Sequence, residues 1–124
     1  MSESITDRES FENSYYYFVG ALKVLSATVE VQRVILGSTS VGVAWELKSD
    51  VSAGVYLFNC ESCTLSPSQR AQITALISRL KSVPENADMG HASWEPLRKE
   101  AATLLESLAP TTRANAAYFN GKQT

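Results

Sequence analysis

The amino-acid sequence predicts an all-α fold, a compact antiparallel bundle of five to six helices that forms a single domain over residues 1–124. Apolar residues recur at spacings of three and four along most of the chain, which is the period of a helix with one buried face. Cap residues and prolines stand where these stripes begin and end, and the connections between them are short enough for antiparallel neighbours. Residues 1–6 and 121–124 are expected to fray.

The first helix is predicted over residues 7–26, because Thr6 followed three residues later by a glutamate matches a capping box. The apolar residues that would share its buried face are Phe11, Tyr15, Phe18, Leu22 and Leu25. Consecutive helical residues point about 100° apart, so the run of aromatic residues in this helix cannot all be buried. Tyr16 and Tyr17 are therefore candidates for a contact surface, since tyrosine is enriched at protein interfaces. The alternative is that their rings lie along neighbouring helices and only the hydroxyl groups are exposed to solvent.

The next two helices have weaker signals. Ser26 or Thr28 would cap a short second helix, which Gly37 would end. A third helix is predicted from Val43 onward, with one apolar stripe made of Ala44, Leu47, Val51, Val55 and Phe58. β-branched and small residues weaken that prediction, so a strand is the alternative for this segment.

The second half of the chain has clearer helix signals. Ser66 before Pro67 marks the start of a fourth helix, whose apolar stripe ends before Pro84. Ser93 is predicted to cap a fifth helix with Pro96 in its first turn. The expected buried faces consist of Ile73, Leu76, Ile77 and Leu80 in the fourth helix, and of Trp94, Leu97, Ala101, Leu104, Leu105 and Leu108 in the fifth.

A last helix is predicted to be short. Pro110 is expected to stop the fifth helix, because proline lacks the amide hydrogen that would continue it. Thr111 or Thr112 then caps a final helix that carries Tyr118 and Phe119.

The residues that could carry chemistry do not form a complete site. Cys60 and Cys63 form a CxxC pair, but a structural zinc site needs four ligands. The chain has no second CxxC or HxxxH pair, and His91 is its only histidine. A thioredoxin-like pair would begin a helix that follows a strand, whereas this pair follows a helical pattern. We therefore expect incidental free thiols, a turn or capping role for His91, and no metal or cofactor. Hydrolase, phosphate-binding and zinc-protease motifs are also missing, which predicts that the protein is not an enzyme.

The charges are unevenly distributed along the chain. Residues 1–62 carry eight acidic and four basic side chains, while residues 63–124 carry five acidic and seven basic ones. An acidic surface repels nucleic acid and attracts a basic partner. Glu30, Glu46 and Asp50 are therefore candidate partner-binding residues.

The spacing of Glu46 and Asp50 places both on one face of the third helix. We expect these carboxylates to face outward, while Trp45 and Leu47 pack inward. The alternative is that the carboxylates only solvate a helix face, which is the ordinary role of surface charge.

The N-terminal segment is polar and acidic, so it lacks the basic start and apolar centre of a secretory signal. No apolar stretch approaches the ~20 residues that cross a bilayer. The expected location is the cytoplasm, with no membrane partner. The unbound protein is expected to be a monomer or a weak homodimer.

Three segments behind the aromatic-rich first helix carry a resemblance to a known family. They are GVAWELKSDVSAGVYL (42–57), HASWEPLRKEAATLLESLAPTT (91–112) and NAAYFN (115–120). In this order they resemble the small cytoplasmic immunity proteins of bacterial contact-dependent growth inhibition systems. The resemblance spans most of the chain, and Ala-Trp-Glu-Leu-Lys and Ser-Trp-x-Pro-Leu-Arg are its most specific parts. The short connector after Pro84 and the CxxC pair depart from the family pattern.

The resemblance implies an antitoxin that binds the C-terminal toxin domain of a delivered effector and blocks its nuclease, often one that cleaves transfer RNA. The residues alone leave two other classes open. One is a helical adaptor or regulatory protein, which would contact nucleic acid only through a basic patch such as Arg79, Lys81, Arg98 and Lys99. The other is a structural protein that self-associates through its tyrosine face.

Overall fold

The computed structural model describes residues 6–36, 41–61, 63–84 and 91–122, and within these residues the chain is helical without strands. The α-helices are α1 (Asp7–Ser26), α2 (Val29–Leu36), α3 (Val41–Ser52), α4 (Pro67–Leu80), α5 (Glu95–Ser107) and α6 (Ala109–Lys122). A long 3₁₀ helix follows α3 at Ala53–Asn59, and a single 3₁₀ turn precedes α5 at Ala92–Trp94. The predicted all-α bundle is confirmed, and the strand alternative for the third helix is wrong.

The central helix of the bundle is α1, because α3, α5, α6 and the long 3₁₀ helix all pack against it. It begins where the sequence predicts, since the Thr6 hydroxyl accepts a hydrogen bond from the Glu9 amide at 3.1 Å. The buried residues of α1 are Phe11, Glu12, Tyr15, Phe18, Val19, Leu22 and Leu25. The predicted stripe is therefore confirmed, and α1 turns Tyr16 and Tyr17 to the exposed side.

The buried face changes its period where α3 gives way to the long 3₁₀ helix. An α-helix has 3.6 residues per turn, whereas a 3₁₀ helix has three. The buried positions accordingly follow a spacing of three at Val51, Gly54 and Leu57. The predicted stripe kept an α-helical period through Val55 and Phe58 and is wrong there, because Val55 is 46% exposed and Phe58 only half-buried.

A close approach between the long 3₁₀ helix and α1 requires the glycine at position 54. A Cβ atom on Gly54 would overlap the Phe18 ring, at 2.6 Å from its Cδ1 atom. The Phe18 ring is itself buried in the core, so it has little room to move aside. Any side chain at position 54 must therefore push the two helices apart.

Replacing Gly54 by alanine should lower the free energy of unfolding by about 1–3 kcal/mol, the usual cost of overpacking a core. Gly20→Ala is the matched control, because Gly20 is also helical but an added Cβ there has no described atom within 4 Å. This control should raise the free energy of unfolding by up to about 1 kcal/mol through helix propensity. Urea denaturation measures both changes, and equal stability of the two variants would contradict the close approach.

The start of α2 distinguishes between the two predicted caps. The Thr28 hydroxyl accepts a hydrogen bond from the Val31 amide at 3.2 Å, whereas the Ser26 hydroxyl donates to the Lys23 carbonyl at 3.0 Å. Thr28 is therefore the cap of α2, and Ser26 belongs to the last turn of α1. The predicted stop at Gly37 lies outside the described residues.

A buried amide joins α2 to the bundle. Gln32 donates from Nε2 to the carbonyl oxygens of Val24 and Leu25, both at 3.0 Å, and so satisfies two acceptors at the end of α1. Its Oε1 atom accepts from Arg98 Nε of α5 at 3.1 Å. Gln32 thus links three helices, a contact that no local sequence pattern indicates.

The fourth and fifth helices keep their predicted faces but differ in one cap. Ser66 and Gln69 form a reciprocal capping box at the start of α4. Before α5, His91 Nδ1 accepts from the Ser93 amide at 3.1 Å, so His91 caps the 3₁₀ turn and Ser93 lies inside it. The capping role of His91 is confirmed, and the predicted cap at Ser93 is wrong. All predicted residues of the two faces are buried except Leu105, which is half-buried.

The last helix is longer than predicted, because α6 has 14 residues. Pro110 lies in its first turn, where a missing amide hydrogen costs nothing, so it begins α6 almost directly after α5. Thr111 and Thr112 lie within α6 and do not cap it; the Thr112 amide donates to the Leu108 carbonyl at 2.8 Å. Residues 121 and 122, which were expected to fray, belong to its last turn.

Polar side chains fix α6 on α1. Asn115 is the buried residue among the described side chains of α6, and its amide donates to the Glu12 carbonyl at 2.8 Å and to the Glu12 carboxylate at 2.6 Å. The Tyr15 hydroxyl lies 2.8 Å from Thr112 Oγ1 and donates to the Leu108 carbonyl at 3.3 Å. Displacing α6 would leave these buried groups unpaired, which holds the helix in place.

The buried Tyr15 hydroxyl makes stability depend on alkaline pH. Burial raises the pKa of Tyr15 to about 12, with Glu12 adding to the rise and the Thr112 hydrogen bond opposing it. The unfolded chain therefore loses this proton near pH 10 and the folded one only near pH 12, so stability falls between these values by about 2–3 kcal/mol in total.

We expect Tyr15→Phe to remove this part of the pH dependence. The variant should lose about 0.5–1.5 kcal/mol at neutral pH with the hydroxyl bonds. Between about pH 9 and pH 11, however, the parent should lose about 1.4 kcal/mol more than the variant, as measured by urea midpoints. Parallel pH profiles for the two proteins would show that Tyr15 is not buried as described.

Candidate partner-binding groove

An open groove of about 1270 Å³ runs along the outer side of α1. The floor is α1, one wall is α6, and the other wall is α3 together with the long 3₁₀ helix. We call it the aromatic groove; its lining includes Tyr16, Tyr17, Gly20, Asp50, Tyr56 and Phe119. Pockets for small molecules usually measure about 300–1,000 Å³ and enclose most of the ligand. This groove is larger and open along its length, which suits a segment of a protein.

Large aromatic side chains stand exposed in the groove. Tyr16, Tyr17 and Tyr56 are 60%, 73% and 66% exposed. The Tyr16 ring meets Tyr17 edge to face at 5.5 Å between centroids and meets Phe119 of α6 at 5.8 Å. Contiguous exposed apolar surface on a folded chain marks contact sites, and tyrosine combines a large apolar ring with a polar tip. The sequence left open that the Tyr16 and Tyr17 rings lie along neighbouring helices. Among the described contacts, only that of Tyr16 with Phe119 of α6 fits this alternative.

Among the side chains that the structure describes, the groove carries one charged group on each side of its α1–α3 boundary. Asp50 of α3 is exposed, as is Lys23 of α1, and both line the groove. Neither takes part in an ion pair among the residues that the structure describes. An approaching partner therefore meets a carboxylate that can pair with a cation and an ammonium group that can pair with an anion.

The structure brings together three of the five predicted site residues. Tyr16, Tyr17 and Asp50 line the same groove, although they come from two helices. Glu30 is exposed in the first turn of α2 and is not part of the groove lining. Glu46 belongs to α3, but its side chain lies outside the described residues, so its predicted outward direction stays a prediction.

The predicted inward packing of the α3 side chains is confirmed at Leu47, which is buried. The side chains of Ala44 and Trp45 lie outside the described part of the chain, so their inward packing also stays a prediction. Leu47 touches the bottom of the groove, and Asp50 stands three residues further on the wall. Leu47 therefore belongs to the core, and Asp50 belongs to the exposed wall of the groove.

Sequence reasoning missed the contributions of Tyr56, Phe119 and Gly20 to the groove. Tyr56 is exposed on the groove wall because the 3₁₀ period turns it away from the core. Phe119 is part of the wall because α6 folds back along α1. The aromatic pair at the end of the chain was a signal for Phe119, whereas nothing local in the sequence indicates Tyr56 or Gly20.

The residues considered for metal or redox chemistry lie elsewhere. Cys60 and Cys63 are free and half-buried, and both pack against the core just after the long 3₁₀ helix. His91 is bound to Ser93 as a helix cap. Within the described ranges, no cluster of three or more histidine, cysteine, aspartate or glutamate side chains could hold a metal ion.

The candidate basic patch is divided by internal pairing. Arg98 is buried, donating to Gln32 and to Glu95 at 3.1 Å each. Arg79 pairs with Glu100 at 2.7 Å. Arg98 is therefore withdrawn into the bundle, while Arg79 is exposed and part of its charge is neutralised by Glu100, so the patch offers less positive charge to a phosphate backbone than its sequence suggests.

Comparisons of the chain with profiles of protein families, with curated proteins and with solved structures find no match. In the part of the chain that the structure describes, every helix is too short or too polar to cross a lipid bilayer.

Proposed function

We propose that the protein is an immunity protein, an antitoxin that binds and neutralises the C-terminal toxin domain of a contact-dependent growth inhibition effector, an RNA or transfer-RNA nuclease. The observation that carries this proposal is the aromatic groove, where Tyr16, Tyr17 and Asp50 meet at the surface. The size and exposed aromatic lining of the groove support the proposal that the partner is a protein. The resemblance of residues 42–57 and 91–112 to immunity proteins supports a toxin as that partner.

Inhibition by occlusion requires shape and charge and no chemistry of its own. A nuclease grips phosphates with basic side chains, which an unpaired carboxylate such as Asp50 attracts. Exposed tyrosine rings add apolar contact area at a small entropic cost, because each has few rotatable bonds. The floor of the groove is rigid, since α1 is the central helix and α6 is fixed to it by Asn115. The protein would thus cover the toxin's active site or the path of its substrate.

An adaptor that binds proteins without inhibiting them would use the same groove. A test must therefore measure both complex formation and the activity of the toxin. The probe is the C-terminal toxin domain of the effector that we expect to be encoded directly upstream, purified alone and added to transfer RNA. An unrelated basic ribonuclease serves as the control.

One equivalent of this protein should stop RNA cleavage by the toxin domain and leave the control nuclease active. Size-exclusion chromatography should show a complex of one copy of each chain. A complex that still cleaves RNA would favour the adaptor. Failure to form a complex would contradict the proposed function.

A further inference from the structure

The floor of the aromatic groove is a straight stripe along α1. Asn13, Tyr17, Gly20 and Val24 follow one another at spacings of three and four, and all line the groove. At 1.5 Å per residue, this stripe is about 16 Å long, or three helical turns. The groove therefore has the length of a short helix and lies between two helical walls.

Gly20 leaves the middle of this floor open. An added Cβ atom at this position has no neighbour within 4 Å in the described part of the chain, so packing among these residues does not require a glycine there. Glycine inside a helix costs about 1 kcal/mol relative to alanine. Because no side chain projects from α1 at this position, the backbone of a partner can approach the helix closely there.

The walls of the groove decide what kind of segment fits. They are helices, whose backbone groups are bonded within each helix, so they offer no strand edge to an extended peptide. The two ring contacts described in the groove, Tyr16 with Tyr17 and Tyr16 with Phe119, are edge to face at 83° and 78°, so neither offers parallel rings to a proline-rich segment. A helix with an apolar face satisfies its own backbone and needs only the aromatic surface that the groove provides.

We infer that the aromatic groove binds one amphipathic α-helix of the partner protein, with its backbone closest to Gly20 and a basic side chain facing Asp50. This inference rests on the proposed protein-binding function and names the element that is recognised. Apolar side chains of that helix contact Tyr17, Tyr56 and Phe119. The Asp50 carboxylate, which has no ion-pair partner among the described residues, attracts a lysine or arginine of that helix, and Lys23 on the other side of the boundary attracts an acidic side chain.

The test uses display libraries, so it does not depend on identifying a toxin. One library presents a helical alanine–glutamate–lysine scaffold with randomised positions on a single face, and a second presents proline-rich peptides of the same length. We expect binders from the helical library only, enriched in apolar residues at i, i+3, i+4 and i+7 with a lysine or arginine beside them. When the Asp50→Lys variant is the target of the same helical library, the selected peptides should carry an acidic residue in place of the lysine or arginine.

The affinity of matched variants for the selected peptides locates the binding site. Gly20→Gln fills the floor of the groove and should weaken the selected helical peptides by at least about tenfold. Gly121→Gln is the control, because Gly121 is a helical glycine of α6 with open space at its Cβ that does not line the groove, and it should bind as the parent does. Ala116→Gln, on the α6 wall, should repeat the effect of Gly20→Gln. Circular dichroism should show all three variants folded.

Several results would overturn the inference. These are binders from the proline-rich library, no binders from either library, and equal binding by the two glycine variants. Self-association that Gly20→Gln abolishes would assign the groove to a second copy of this chain. Because no toxin enters this experiment, its failure is distinct from failure of the RNA-cleavage assay, which tests the proposed function by itself.

Discussion

Leu104→Ala should lower the free energy of unfolding by about 2–5 kcal/mol, the largest stability effect that we expect from a single substitution. Leu104 is 2% exposed and lies on the face of α5 that packs against α1 and α4. The loss combines buried methyl groups with the cavity left in a core that packs tightly. Chemical denaturation measures it as a lower midpoint with an unchanged slope.

Lys99→Ala is the control for this measurement, because Lys99 is exposed on the same helix. Its effect should stay within about 0.5 kcal/mol. An unchanged midpoint for Leu104→Ala would mean that the face of α5 is not buried. The bundle, and with it the position of α1 under the groove, would then be wrong.

Asp50→Lys should give the largest effect on partner binding, slowing association with the toxin domain by about tenfold or more at low salt. The reversal replaces the carboxylate of the groove with a charge that repels a basic partner. Asp50 is exposed, so stability should change by no more than about 0.5 kcal/mol. Association rates at two salt concentrations measure the effect, and the salt dependence of the parent complex should shrink in the variant.

Glu30→Lys is the matched control, since it makes the same charge change at an exposed acidic residue outside the groove. At about 0.1 M salt it should leave the association rate within about twofold of the parent, because attraction between exposed charges is screened beyond about 10 Å there. Equal effects of the two reversals would mean that the groove has no special part in binding. Unchanged rates for both would mean that the carboxylates only solvate their helices.

Elements with a clear local signal, either a cap before an apolar stripe or a strong helical period, were predictable from the sequence. α1 and α4 begin at the predicted caps Thr6 and Ser66, because a hydroxyl placed before an apolar stripe satisfies the free amides of the first turn. α5 shows its predicted face because Leu97, Ala101 and Leu104 recur at the helical period. In these helices the local preferences and the tertiary packing agree.

The remaining features depend on contacts between distant residues. Gln32 is buried because it meets Arg98, 66 residues away, and the last carbonyls of α1. Tyr56 reaches the groove because the helix tightens to a 3₁₀ period after Ser52, which lets Gly54 lie against Phe18. No periodicity in the sequence predicts the burial of Gln32 or the exposure of Tyr56 in the groove. The groove itself was visible only as separate hints, since Tyr17 and Asp50 come from different helices.

The most direct test of the aromatic groove as the binding surface replaces Tyr17 with a photo-reactive benzoylphenylalanine and illuminates the complex with the toxin domain. Tyr17 is 73% exposed in the groove, and the same probe at Glu30, exposed on α2, is the comparison. If the aromatic groove is the binding surface, the probe at position 17 should cross-link to one helix of the toxin, while the probe at position 30 should give little product. Cross-linking from position 30 with none from position 17 would contradict the claim that this protein recognises its partner through the groove.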